Sequence, residues 1–173
     1  MSNLSSSRAL KDVTEAYGQQ YHAAAVGEVN VVAEMKRTHS VIGGEGNGGV
    51  IYPESHYGRD ALVGVGLFLS HYVAQSKKMT ELKSTYPPYF ISKNKMTLSP
   101  DMDVDKILEG LKERYATEKV TDIDGVKIDF AQGWVHLRKS NTEPIIRIYS
   151  EAKDEAAANQ LAEEVIAAAK STF

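Results

Sequence analysis

Two stretches of this chain combine side chains that could grip a polar ligand with backbone that could bend around one. The first is Gly43-Gly44-Glu45-Gly46-Asn47-Gly48-Gly49, with five glycines in seven residues. Such a run opens backbone conformations that other residues avoid. The carboxylate of Glu45 can accept two hydroxyl protons, and the amide of Asn47 can both donate and accept. That pair suits a polyhydroxylated ligand, although the same composition also serves a plain hairpin turn. It is not a nucleotide phosphate loop, because no Gly-Lys-Ser/Thr ending follows.

The second stretch is Arg138-Lys139-Ser140-Asn141-Thr142-Glu143-Pro144. The guanidinium of Arg138 is a planar, permanently charged fork that matches phosphate oxygens. Ser140, Asn141 and Thr142 add side-chain donors, and a turn here could aim backbone N–H groups at an anion. Hydrogen bonds to a charged partner contribute about 1.5–3 kcal/mol each, so three or four of them would hold a phosphate firmly. An ordinary polar turn uses the same residue types. Glu143 and Arg147 are spaced across the proline so that an ion pair could brace the loop.

Other candidates are weaker. Asp101, Asp103 and Asp105 resemble the start of a calcium loop, but they lack its central glycine and closing glutamate and suit a helix N-terminus better. His56, Tyr57 and Arg59-Asp60 could line a site, though a capped helix start explains them. The five histidines show no paired zinc-ligand spacing, and the chain has no cysteine. Metal ligands are therefore not expected within it.

The elements that would carry these loops can be read from pattern. Ser5-Ser6-Ser7 marks a helix start, with Leu10, Val13 and Tyr17 at helical spacing and Gly18 as the stop. The strand expected before such a helix is almost absent. Residues 28–36 suit a short helix. Ser40-Val41-Ile42 suggests a buried strand running into the glycine loop, Val50-Ile51-Tyr52 a second strand, and Asp60 the cap of a helix to about Val73 with Leu62, Val65, Leu69 and Val73 on one face. This is an α/β unit, and strand ends are where such sheets hold ligands.

Pro87-Pro88 forbids helix and favours an extended spacer. The expected division is residues 1–80, a linker 81–95, and a second domain 96–173. Beyond the prolines, Tyr89 to Leu98 can be a strand and Asp103 to Tyr115 an amphipathic helix with Val104, Ile107, Leu108 and Leu111 inward. Asp124-Gly125 is a hairpin signal between two strand-like runs. Trp134 to Leu137 and Ile145 to Tyr149 are further strands, Trp134 is assigned to the core, and Ala156 to Ala169 closes the chain as a helix. These elements make an α+β domain.

Composition bounds the class. The chain has 173 residues, 42% hydrophobic and 25% charged, with a net charge of -3. Nothing resembles the concentrated basic face of a nucleic-acid binder. No apolar stretch is long enough to span a bilayer, and the N-terminus lacks a signal pattern, so a cytoplasmic location is expected.

Together, the two loops resemble those of the α-D-phosphohexomutase family, which includes phosphoglucomutase/phosphomannomutase and phosphoglucosamine mutase. Gly44-Glu45-Gly46-Asn47-Gly48 is similar to that family's sugar-binding loop in its third domain. The segment from Arg138 to Pro144 is similar to the phosphate-binding loop of its fourth domain, and the order and separation of the two also match. The resemblance covers essentially the whole chain. It implies a partial α/β third domain followed by an α+β, TATA-box-binding-protein-like fourth domain.

The resemblance also implies a chemistry. A phosphoserine in the first domain gives its phosphoryl group to a hexose phosphate, a glucose 1,6-bisphosphate-type intermediate turns over, and the other phosphate returns to the serine. Mg2+ sits on an aspartate-rich loop of the second domain. The serine motif does not occur in this chain, and its Asp101-x-Asp103-x-Asp105 run suits the helix start described above and not that metal loop, so the chain is expected to be an inactive C-terminal fragment of an isomerase. By position, Glu45 and Asn47 would hold sugar hydroxyls. Arg138, Ser140, Asn141 and Thr142 would hold the phosphate that is not being transferred. The expected partners are a hexose phosphate and the missing domains 1 and 2, with no nucleic acid and no membrane. The Glu-Gly-Asn-Gly-Gly form is closer to the phosphoglucosamine/phosphomannomutase branch. Bacterial relatives often have serine at Asn47, histidine at Gly49, and in some cases histidine at Glu28.

Overall fold

The computed structural model describes residues 1–99, 102–140 and 142–171. The chain divides into two compact units, Met1–Pro88 and Tyr89–Phe173. In the first, β1 (Ser2–Asn3) is followed by α1 (Arg8–Ala16), β2 (Ala23–Ala24), α2 (Glu28–Thr38), β3 (Gly43–Gly44), β4 (Val50–Tyr52), β5 (His56–Arg59), α3 (Ala61–Gln75) and α4 (Met79–Ser84). Among the described residues, β1 and β2 pair in parallel, and β3, β4 and β5 form an antiparallel sheet in that order.

Local chemistry explains the starts and stops. The Ser7 hydroxyl accepts the Ala9 N–H at the head of α1, and Gly18 takes φ +68 just after its end. Asp60 caps α3 by accepting the Val63 N–H at 3.0 Å. His56 Nε2 lies 3.1 Å from the same carboxylate, so the helix start accounts for both residues. The core of this unit is small: Ala24, Val31, Met35 and Ile51, with Met1 and Val32 packed against it.

Two expectations fail in this region, and the apolar face of α3 turns outward. Ser40-Val41-Ile42 is not a buried strand; Val41 is 78% exposed, and the strand is Gly43–Gly44 itself. Helix α3 forms, but Leu62, Val65, Leu69 and Val73 point away from the sheet, with Leu62 85% exposed. At 100° per residue these four lie opposite Gly64. A Cβ at Gly64 would stand 3.2 Å from Val50 Cγ2, so the helix meets β4 through its least bulky side. The segment 81–95 is not an extended linker, because α4 covers its start and a strand begins at Phe90. The division falls between Pro88 and Tyr89.

The second unit runs β6 (Phe90–Thr97), α5 (Val104–Arg114), β7 (Lys119–Thr121), β8 (Val126–Asp129), β9 (Gly133–Lys139), β10 (Ile145–Ala152) and α6 (Glu155–Lys170). Among the described residues its sheet has the order β6-β10-β9-β8-β7, antiparallel throughout. Phe90 belongs to the sheet because β10 pairs with all eight residues of β6, from Ile145 opposite Thr97 to Ala152 opposite Phe90. Alternate residues Val126, Ile128, Val135, Leu137, Ile146 and Ile148 share one core with Val104, Ile107 and Leu111 of α5 and Leu161 and Val165 of α6. Asp103 caps α5 as expected, and Gly125 takes φ +66 in the β7–β8 turn; Asp101 lies outside the described residues.

The alternate positions on β9 are Trp134 and His136, both buried. The Trp134 indole N–H donates to Glu151 at 2.8 Å, and the Lys127 ammonium lies 4.5 Å from the centre of its ring. Burial pushes His136 down to about 4, and the neighbouring charges of Lys127 and Arg138 act in the same direction. Its Nε2 lies 2.7 Å from the Asp124 carbonyl oxygen, where the neutral ring donates.

The unfolded chain therefore takes up this proton first as pH falls, and the folded state loses stability between pH 6.5 and about 4. The full loss is about 3 kcal/mol from this group alone. Trp134, the chain's one tryptophan, reports the second unit, so urea titrations followed by its fluorescence measure the slope. The His136→Gln variant should flatten it over the same pH range.

Candidate functional site

The glycine loop is a closed hairpin between β3 and β4. Glu45 N–H donates to the Gly49 carbonyl and Gly48 N–H to the Glu45 carbonyl, each at 3.0 Å. The side-chain oxygen of Asn47 accepts the Gly49 N–H at 3.1 Å, so the turn uses the acceptor half of that amide. Close packing explains two of the glycines. A Cβ at Gly43 would collide with Met35, and one at Gly46 would come within 3.0 Å of the Ser5 carbonyl oxygen.

Glu45 is more enclosed than an exposed loop acid would be, with a side chain only 6% exposed. Its Oε1 accepts from the Asn3 amide and from the Gly27 backbone N–H, both at 3.1 Å. Its Oε2 lies 3.6 Å from Arg59 Nη1. Oε1 already has two donors, so Oε2 is the oxygen with more room for a further one.

Arg59 ends β5. Its Nε–H donates to Glu28 Oε2 at 2.8 Å, and its own backbone N–H donates to Glu28 Oε1 at 3.0 Å. The two bonds hold the Glu28 carboxyl below its ordinary value, the backbone one contributing most. Glu28 also occupies the first turn of α2, where the helix dipole favours a negative charge. A cleft of about 630 Å³ opens here, lined by Glu28, Asn47, Gly49, Arg59 and Asp60 among others.

The second loop joins β9 to β10. Ser140 N–H donates to the Ile145 carbonyl at 2.9 Å, closing the base of the turn. The Thr142 N–H donates to Ser140 Oγ at 3.4 Å, and the two hydroxyl oxygens stand 3.4 Å apart. Arg138 Nη1 is 3.9 Å from Asp124, a loose ion pair, while its buried Nε has no hydrogen-bond partner among the described residues. A buried guanidinium N–H without an acceptor is costly, and an anion would satisfy it. Glu143 and Arg147 form the expected brace at 3.1 Å. Asn141 lies outside the described residues.

The structure thus sets Glu45 and Asn47 on one hairpin, and Arg138, Ser140 and Thr142 around another turn. Asn3, Glu28, Arg59 and Asp124 also belong to these clusters, and sequence reasoning gave them other roles or none. For Arg59 and Glu28 the available signal was the charge pair itself, but 31 residues separate them. Among the described residues, no group of three or more histidine or carboxylate side chains could hold a metal ion. No described helix is long and apolar enough to cross a membrane.

Comparison with known proteins agrees with both units. Residues 1–89 match the profile of the phosphoglucomutase/phosphomannomutase alpha/beta/alpha domain III, and residues 93–168 match that family's C-terminal domain. The phosphoglucosamine/phosphogalactosamine mutase of Sulfurisphaera tokodaii is 37% identical over 94% of this chain. The phosphoglucomutase/phosphomannomutase of Thermococcus kodakarensis is 36% identical over 94%. Each match takes in 36% of the relative, so the chain spans about a third of the length of the curated relatives it matches. A solved phosphoglucomutase/phosphomannomutase family protein from Burkholderia thailandensis shares the fold over 99% of this chain and 37% of its own, with a TM-score of 0.79 at 22% identity. With both of its units matched in order, this chain belongs to the phosphoglucomutase/phosphomannomutase family and corresponds to that family's domain III and C-terminal domain.

Proposed function

We propose that this chain is the substrate-gripping part of a cytoplasmic phosphohexose mutase, an isomerase that interconverts hexose 1-phosphates and 6-phosphates. The observation that carries this reading is the buried Arg138 Nε, which has no hydrogen-bond partner among the described residues, in a chain whose other loop presents Glu45 and Asn47. Arg138, Ser140, Asn141 and Thr142 hold the phosphate that stays on the sugar. Glu45, through Oε2, and Asn47, through its amide nitrogen, take ring hydroxyls. The relatives named for glucosamine, galactosamine, glucose and mannose phosphates mark the range of hexoses from which the substrate comes.

None of these groups is placed to make or break a bond. Their contribution is remote binding energy that orients the reacting end of the sugar. A cation-and-hydroxyl grip recognises phosphate without regard to the carbon that bears it, which suits a substrate presented in two directions. In this reading, phosphoryl transfer through a phosphoserine and a bisphosphorylated sugar belongs to domains 1 and 2 of the parent. In the same reading, Mg2+ is bound there too.

Three measurements test these assignments. Phosphate titrated into the 173-residue chain should move the amide signals of residues 138–142, and an unmoved loop would count against the assignment. The chain alone should not turn over glucose 1-phosphate or glucosamine 1-phosphate; turnover would show that it carries its own chemistry. In the full-length protein, Arg138→Met should raise KM for hexose phosphates by about 10- to 100-fold, the effect of losing one or two charge-assisted hydrogen bonds.

A further inference from the structure

Arg59 and Arg138 are both arginines beside a candidate ligand loop, yet their surroundings differ sharply. Among the described residues, Arg138 has a carboxylate at 3.9 Å and a buried Nε without an acceptor. Arg59 is clamped on two sides. Glu28 takes its Nε–H at 2.8 Å and its backbone N–H at 3.0 Å, while Glu45 Oε2 stands 3.6 Å from Nη1. The stem of Arg59 lies over Gly49, where a Cβ would come within 2.5 Å of Arg59 Cδ. The direction of the guanidinium is therefore fixed at both ends of the side chain.

The clamp also settles which ligand groups it can serve. Glu28 and Asp60 line the same cleft, and Glu45 lies behind Arg59, so the acids outnumber the one arginine among these residues. A dianionic phosphate entering there meets more negative than positive charge. A neutral hydroxyl meets no such repulsion and still finds oriented N–H donors, since the guanidinium has five of them.

We propose that Arg59 is a specificity-determining residue of this site, donating to hydroxyl oxygens of the hexose ring and not to the phosphate. This role presupposes that the Gly43–Gly49 loop binds the sugar. Glu28 is its positioning residue, holding the fork in register and lowering its appetite for anions. Gly49 is the empty space that the stem needs.

The test uses the full-length protein carrying this chain, with kcat and KM on glucose, mannose and glucosamine phosphates and with inhibition by inorganic phosphate. Arg59→Met should change the ratio of kcat/KM between two of these sugars by about tenfold, with the phosphate inhibition constant moved less than about twofold. Glu28→Gln should lower the phosphate inhibition constant, because it frees charge on Arg59. Sugar ratios unchanged in Arg59→Met, or a phosphate constant raised as in Arg138→Met, would overturn the role given to Arg59. If Arg59→Met fails to fold, Arg59→Lys decides on the same two readouts, since it keeps the charge and loses the planar fork. Arg138→Met separates the two levels. If it raises KM while the Arg59 variants change nothing, the inference fails and the sugar-phosphate reading stands. If neither residue affects any constant, that reading itself fails.

Discussion

The first unit depends on the Glu45 carboxylate. It gathers the Asn3 side chain at the end of β1, the Gly27 N–H at the head of α2 and the Arg59 guanidinium at the end of β5. Gly27 has no side chain to cap α2, and its own N–H, the donor that the third-residue acid of a capping box usually takes, is met by an acid 18 residues away. The apolar core beneath is only a few residues deep. Polar ties across the top of the sheet therefore do much of the work of fixing the hairpin. A carboxylate this enclosed requires its donors, because an unpaired buried charge is far costlier than a paired one.

The second unit is organised differently. Its loop rests on a broad antiparallel sheet whose core spans both helices, and the β9–β10 register runs from Lys139 opposite Ile146 to Gly133 opposite Ala152. Rigidity there comes from packing more than from polar ties at the turn. The brace between Glu143 and Arg147 and the Ser140 bond to Ile145 close the turn without using Arg138. One arginine is thus consumed by structure, and the other keeps a donor unmet among the described residues.

Much of this was legible in the sequence where the cause is local. Ser7, Asp60 and Asp103 cap the helices they precede, Asp124-Gly125 turns a hairpin, and Glu143 meets Arg147 across four residues. What escaped was non-local. The Glu28–Arg59–Glu45 cluster joins residues from three elements, and no periodicity announces such a meeting. Composition also misled. Val41 and Ile42 look like core but lie exposed, and α3 is apolar on every side, so hydrophobic pattern alone could not tell which face meets the sheet; Gly64 decided it. The double proline marked the division correctly, but the strand-forming run after it extends to within two residues of Pro88.

The packing of Arg59 against Gly49 has an evolutionary corollary. A methyl group at 49 cannot be absorbed by swinging the arginine aside, because Glu28 holds its far end. Positions 49 and 59 are therefore coupled: a side chain is accommodated at the first only where the second has been shortened. Ten residues apart in sequence, the two form one heritable unit.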